Sequence, residues 1–103
     1  MAKLSLTPNP TFKAKVGISV PGKGKVPTEF TFRHMSRKDL LAWIEASKDK
    51  ADVDCILEVA TGWELDDEFN RENVEALCDT YLSAGAEIVG DWMQELRGAR
   101  AKN

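Results

Sequence analysis

A single histidine, a single tyrosine and two cysteines are all that the 103-residue sequence holds of those types. That scarcity removes whole classes of chemistry. A structural zinc site takes about four Cys or His ligands in short spacings, and Cys55 and Cys78 stand far apart in helical patterns. They are expected to be buried free thiols of a reducing compartment. No apolar run approaches the ~20 residues of a membrane-spanning helix. Residues 1–8 hold no apolar signal core, so export is not expected.

Catalytic patterns are equally scarce. His34 follows a strand-like segment, and no Cys or Ser has the motif context that would make it a general base. It reads as an ordinary strand-end residue. Glu64, Asp66, Asp67 and Glu68 lack the alternating spacing and central glycine of a calcium loop. They read as a solvated acidic loop ahead of a helix N-terminus, where negative charge is favoured. The run Gly22-Lys23-Gly24-Lys25 joins two strands and lacks the spacing of a phosphate loop. Neither catalysis nor a metal or cofactor is expected.

What remains is a folding chain. Hydrophobic residues make up 43% and charged ones 30%, an ordinary globular balance. Phe12, Ala14, Val16, Ile18 and Val20 alternate with polar or small residues, as do Val26, Thr28, Phe30 and Phe32. A period of two marks strands with one buried face. The Pro-Gly-Lys-Gly-Lys stretch between them predicts an antiparallel hairpin with a basic tip, and Pro27 belongs at an edge or a strand start.

Helical periods follow. Ser36 with Asp39 predicts a capped helix with Leu40, Trp43, Ile44 and Ser47 on one face and Leu41 beside them. A second helix is expected from about Asp52 to Ala60, closed by Gly62. A compact connector carrying Trp63, Leu65 and Phe69 leads to an Asn70-capped third helix with Val74, Leu77, Cys78 and Tyr81. The fourth starts near Gly85, carries Ile88, Val89, Trp92, Met93 and Leu96, and stops at Gly98. The expected fold is α+β, an N-terminal antiparallel β-hairpin packed against three to four α-helices. Residues 1–10 are expected to be flexible, 11–98 to form the single domain and 99–103 to fray.

Charge is unevenly placed. Residues 1–50 carry ten Lys or Arg against four Asp or Glu, and residues 51–103 carry four against thirteen. Such a split suits head-to-tail self-association, or two halves that attract each other within one fold. The basic hairpin also admits a nucleic-acid reading, since a two-stranded ribbon can enter a groove. Against it, Phe12, Phe30 and Phe32 point inward and leave no aromatic for stacking. The stripe on the last helix is wide enough to bury one side and offer Trp and Met to a partner, or to be core throughout.

Residues 62–77, Gly-Trp-Glu-Leu-Asp-Asp-Glu-Phe-Asn-Arg-Glu-Asn-Val-Glu-Ala-Leu, resemble a segment of the tail assembly chaperones of long-tailed, siphovirus-type bacteriophages. Members show a helix ending in a Gly-Trp turn, an acidic stretch, and a helix start of phenylalanine, a polar residue and Glu-Asn-hydrophobic. The hairpin ending in Phe30-Thr31-Phe32-Arg33 and the helix with Leu40, Trp43 and Ile44 extend the resemblance over residues 12–96.

The resemblance implies a non-enzymatic assembly factor of the host cell cytoplasm, absent from the mature virion. Such a factor binds the tail tape measure protein, keeps it soluble and helps to recruit tail tube protein, as a homo-oligomer. Trp63, Ile88, Trp92 and Met93 are then the candidates for partner contact. Lys13, Lys15 and Lys25 would meet Asp66, Asp67 and Glu68 of an adjacent copy. Alternative readings are a small nucleic-acid-binding regulator using the basic hairpin and a structural tail or head–tail component. Membrane association is not expected.

Overall fold

The alternation of the first thirty residues becomes a long hairpin in the computed structural model, which describes residues 3–98. The tail expected at residues 99–103 lies outside the described residues. β1 (Thr11–Val20) pairs antiparallel with β2 (Gly24–Arg33), from Thr11 opposite Arg33 to Val20 opposite Gly24. At the tip Gly22 and Gly24 have φ of 81° and 76°, which L side chains rarely adopt, and the Lys23 N–H closes the turn onto the Val20 carbonyl at 3.0 Å. Ala14, Val16, Ile18, Phe30 and Phe32 are buried on the inner face as their spacing predicts. Val26 belongs to the same row yet is 38% exposed, although Thr28 next in the row and Ile18 opposite are buried.

Two sequence expectations change here. The second helix, α2 (Asp52–Val59), stops one residue early, and the chain passes directly into β3 (Ala60–Trp63). Gly62 is therefore a strand residue opposite Thr31, not a helix cap. The physical reason lies in the partner. β2 has a second edge to satisfy, and the run Val59-Ala60-Thr61-Gly62-Trp63 can lie along it with Ala60 buried and Thr61 exposed. The sheet order is β1-β2-β3.

Pairing along that edge ends abruptly. The Glu64 N–H donates to the Glu29 carbonyl at 3.0 Å, and the Glu64 carboxylate accepts the Glu29 N–H at 2.8 Å. Two residues on, Pro27 faces the same side and has no N–H to give. A capping carboxylate and a missing donor thus stop the edge from taking further strand.

Four helices complete the α+β fold: α1 (Arg37–Ala46), α2, α3 (Arg71–Thr80) and α4 (Ala84–Arg97). Ser36 caps α1 through the Asp39 N–H at 3.2 Å, and Asn70 caps α3 through the Asn73 N–H at 2.9 Å. Gly98, at φ 71°, ends α4. No residue of α1 is fully buried. It is held by Trp43, whose ring meets Trp92 edge-on at 5.1 Å and whose indole N–H donates to Glu58 at 2.8 Å. Lys50 donates to the same carboxylate at 2.6 Å, and that bond, with the one from Trp43, holds Glu58 below the ordinary carboxylate value against the opposing effect of burial.

The core forms where α4 runs along β1 and α2 closes the base. Trp92 is its largest fully buried side chain, and its indole N–H donates to the Arg33 carbonyl at 2.8 Å. Replacing it by alanine is expected to cost about 3–5 kcal/mol of stability, measured by urea unfolding. Trp92→Phe should cost less, chiefly through lost packing and an unpaired Arg33 carbonyl.

Candidate functional site

α3 packs on α2 and α4 and stands away from the hairpin. The space between is an open groove of about 530 Å³, within the range of about 300–1,000 Å³ common for recognition pockets. Ile18, Val20, Val26, Thr28 and Phe30 of the hairpin form its floor. Asn73, Ala76, Leu77, Thr80 and Tyr81 of α3 and its C-terminal cap form the wall, and Trp63, Leu65 and Asp67 close one end. Most of these side chains are apolar, and Val26 and Leu65 are exposed at 38% and 37%.

The end wall is tightly fixed. The Trp63 indole N–H donates to the Asp67 carbonyl at 2.7 Å, its ring meets Phe69 edge-on at 5.1 Å, and Phe30 supports it from the sheet at 6.0 Å. The Asn73 amide donates to the Glu68 carbonyl at 2.7 Å. Asp67 is thereby held at the groove with Asp66 and Glu68 exposed beside it in the chain, while the Glu64 carboxylate is taken by the β2 edge. Residues 62–77, which carry the family resemblance, thus build both the end and much of the wall.

The candidate partner residues separate in the structure. Trp63 is half-buried at the groove end. Met93 is half-buried against the core. Ile88 and Trp92 have no exposed surface, so the partner face expected of them is absent: α4 turns that stripe onto β1 and the sheet. The sequence reading missed Val26, Leu65, Leu77 and Tyr81 as one surface. Leu77 and Tyr81 did share a helical stripe and Val26 did lie in the strand alternation, but only the fold sets them facing.

The charged candidates separate as well. Lys13 and Lys15 are exposed on the outer face of the sheet, while Asp66, Asp67 and Glu68 are exposed on the connector. Lys25 has a partner in its own chain. Its ammonium lies 3.4 Å from the Glu87 carboxylate, which also accepts the Ser19 N–H at 2.9 Å and the Ser19 hydroxyl. Burial alone would raise the Glu87 carboxyl, but the Ser19 and Lys25 contacts outweigh it and hold it below its ordinary value. Part of the charge split is therefore satisfied within the fold.

His34 is exposed just after β2, its backbone N–H donating to the Pro10 carbonyl at 2.9 Å. Cys55 and Cys78 are free and half-buried, less enclosed than the sequence reading expected. Burial, with Asp52 beside it, pushes the Cys78 thiol up to about 11, which leaves it protonated and unreactive at neutral pH. Among the described residues no group of three His, Cys, Asp or Glu is placed to hold a metal ion.

A family model described as phage tail assembly chaperone matches residues 1–103, the whole chain. The chain belongs to this family of phage tail assembly chaperones. No curated protein and no solved structure matches it. Chaperones of phage tails act in the host cell during assembly, and the family role is non-enzymatic. Among the described residues no helix of this chaperone is long and apolar enough to cross a membrane.

The Glu87 contacts give a pH dependence of defined sign. A carboxyl held low in the folded state adds stability above its unfolded value, near 4.5, and loses it as the pH falls through the folded value. Glu87→Gln should lower the urea midpoint at pH 7. The gap from the wild type should narrow below pH 4.5 and close once Glu87 is protonated in the fold. A gap of constant size across that range would show that Glu87 acts through packing alone.

Proposed function

We propose that this tail assembly chaperone binds the tape measure protein, keeps it soluble and helps to recruit tail tube subunits to it. The observation that carries the reading is the open apolar groove between the hairpin and α3 in a member of a tail assembly family. A tape measure segment is a long amphipathic helix whose apolar residues lack cover until the tube encloses them. An apolar groove accepts such a helix through side chains at i, i+3, i+4 and i+7. Trp63 offers a rigid aromatic anchor at the groove end, of the kind that dominates binding energy. Val26 and Leu65 are ready to lose water on contact.

Several copies acting along one tape measure chain would multiply weak contacts. Lys13 and Lys15 on the outer sheet face would meet Asp66, Asp67 and Glu68 at the groove mouth of a neighbour. Lys25, already paired with Glu87, has less to give. Once the tube encloses the tape measure the groove loses its occupant, so the chaperone leaves and is absent from the virion. The nucleic-acid alternative has less support, since β1 and β2 turn their phenylalanines inward.

The test is co-expression with a tape measure fragment, with the soluble co-purified fragment as the readout. Val26→Ser with Leu65→Ser touches only partly exposed side chains and should leave the unfolding midpoint nearly unchanged. Co-purification should fall about tenfold. Undiminished capture by the double variant would place the tape measure elsewhere on the surface.

A further inference from the structure

α1 is attached to the molecule unlike the other helices. None of its residues is fully buried, and Leu41 on its outer side is 59% exposed. Among the described residues, the close backbone packing that joins α2, α3 and α4 to one another or to the sheet leaves α1 out. Leu40 and Trp43 are what the helix packs against the core, with Met35 just ahead of it. Few buried apolar contacts mark a segment that opens by itself.

Two polar contacts complete the attachment, and both end on one side chain. Glu58 of α2 accepts the Trp43 indole N–H on Oε1 at 2.8 Å and the Lys50 ammonium on Oε2 at 2.6 Å. Lys50 lies in the turn after the helix, its N–H donating to the Ser47 carbonyl at 3.1 Å. One carboxylate therefore clasps both α1 and the segment that follows it. We propose that α1 is a strap over Trp92 that opens and closes while the rest of the fold stays intact, with Glu58 as its clasp.

A ten-residue helix is marginal by itself in water, so α1 melts as it leaves. The released segment, residues 35–51, joins two elements that are anchored without it. At one end the His34 N–H stays on the Pro10 carbonyl at 2.9 Å, and at the other α2 packs on α3, α4 and β3. Opening changes what the molecule shows to water. The Trp43 ring meets Trp92 edge-on at 5.1 Å, and in that closed form Trp92 has no exposed surface. Withdrawal of Trp43 wets one side of the Trp92 ring, while the Trp92 indole N–H keeps its 2.8 Å bond to the Arg33 carbonyl and holds the ring in place. The open form thus carries an aromatic surface that the closed form lacks. That surface is separate from the groove, which no residue of α1 lines, and it does not depend on the function proposed above.

Native-state hydrogen exchange of the full chain tests the strap. Amides of residues 41–46 should exchange about a hundredfold faster than those of residues 88–92 in α4. Val74 is buried on α3, which has no close backbone packing with α1. Val74→Ala should therefore speed exchange at residues 88–92 about tenfold and leave residues 41–46 unchanged. Glu58→Ala should speed residues 41–46 about tenfold. Fluorotryptophan labelling reads the uncovered ring. Ala42→Pro breaks α1 from an exposed position, and this variant should keep a cooperative urea transition. Its Trp92 fluorine signal should acquire the solvent isotope shift of a wet ring, with the Trp63 signal unmoved. Equal exchange in the two helices, a common response to Val74→Ala, or no response to Glu58→Ala would overturn the proposal. So would an Ala42→Pro chain without a cooperative transition, or one whose Trp92 signal stays that of a dry ring.

Discussion

The structure turns on a mismatch between the hairpin and what covers it. Each strand has ten residues and an inner row of apolar side chains, so the ribbon needs cover along its full length. α4 supplies it on the β1 side, with Trp92 at the base and Glu87 reaching Ser19 near the tip. β3 has four residues and pairs with the edge of β2 only from Phe30 to Phe32. Glu64 and Pro27 then end the pairing, and α3 packs on α2 and α4 instead of descending onto the sheet. Val26, near the tip of β2, is the part of the groove floor left exposed, beside the buried Ile18, Thr28 and Phe30. An apolar surface left open in this way is the physical requirement for holding a partly apolar client.

Electrostatics divides the molecule along the same lines. Lysines on the outer sheet face protect an exposed surface from strand-to-strand aggregation, and Asp67 of the acidic connector lines one end of the groove. Some of the charge is used internally, as Lys25 with Glu87, Lys50 with Glu58 and Arg71 with Asp54. These half-exposed pairs contribute modestly to stability. The acid at the groove mouth has the larger bearing on function, because it biases the groove toward occupants that bring positive charge next to apolar residues.

Much of the fold was legible in the sequence. Period-two alternation, the Gly-rich tip, the Ser36 and Asn70 caps and the Gly98 stop all depend on local physics, and each lies where the sequence put it. β3 was not legible, since a stretch that reads as a helix end and its glycine cap is recruited by the free edge of β2, a contact about thirty residues away in the chain. The site was legible only in fragments. Trp63 stood out as an aromatic in an acidic connector, yet Ile88 and Trp92, equally prominent in the pattern, are core. A helical stripe records which side chains are apolar, and only packing decides which of them meet solvent. Val26, Leu65 and the Leu77–Tyr81 pair come from three separate parts of the chain, and no periodicity joins the three.

The central claim is that the tip half of the hairpin and α3 together receive an apolar helix. Methyl NMR of the chaperone during titration with a tape measure peptide tests it most directly. The account predicts shifts concentrated on the methyls of Ile18, Val20, Val26, Leu65 and Leu77, with those of Ile56 and Val59 at the base of the core unmoved. Shifts confined to the outer sheet face or to α1, with the groove methyls silent, would contradict it.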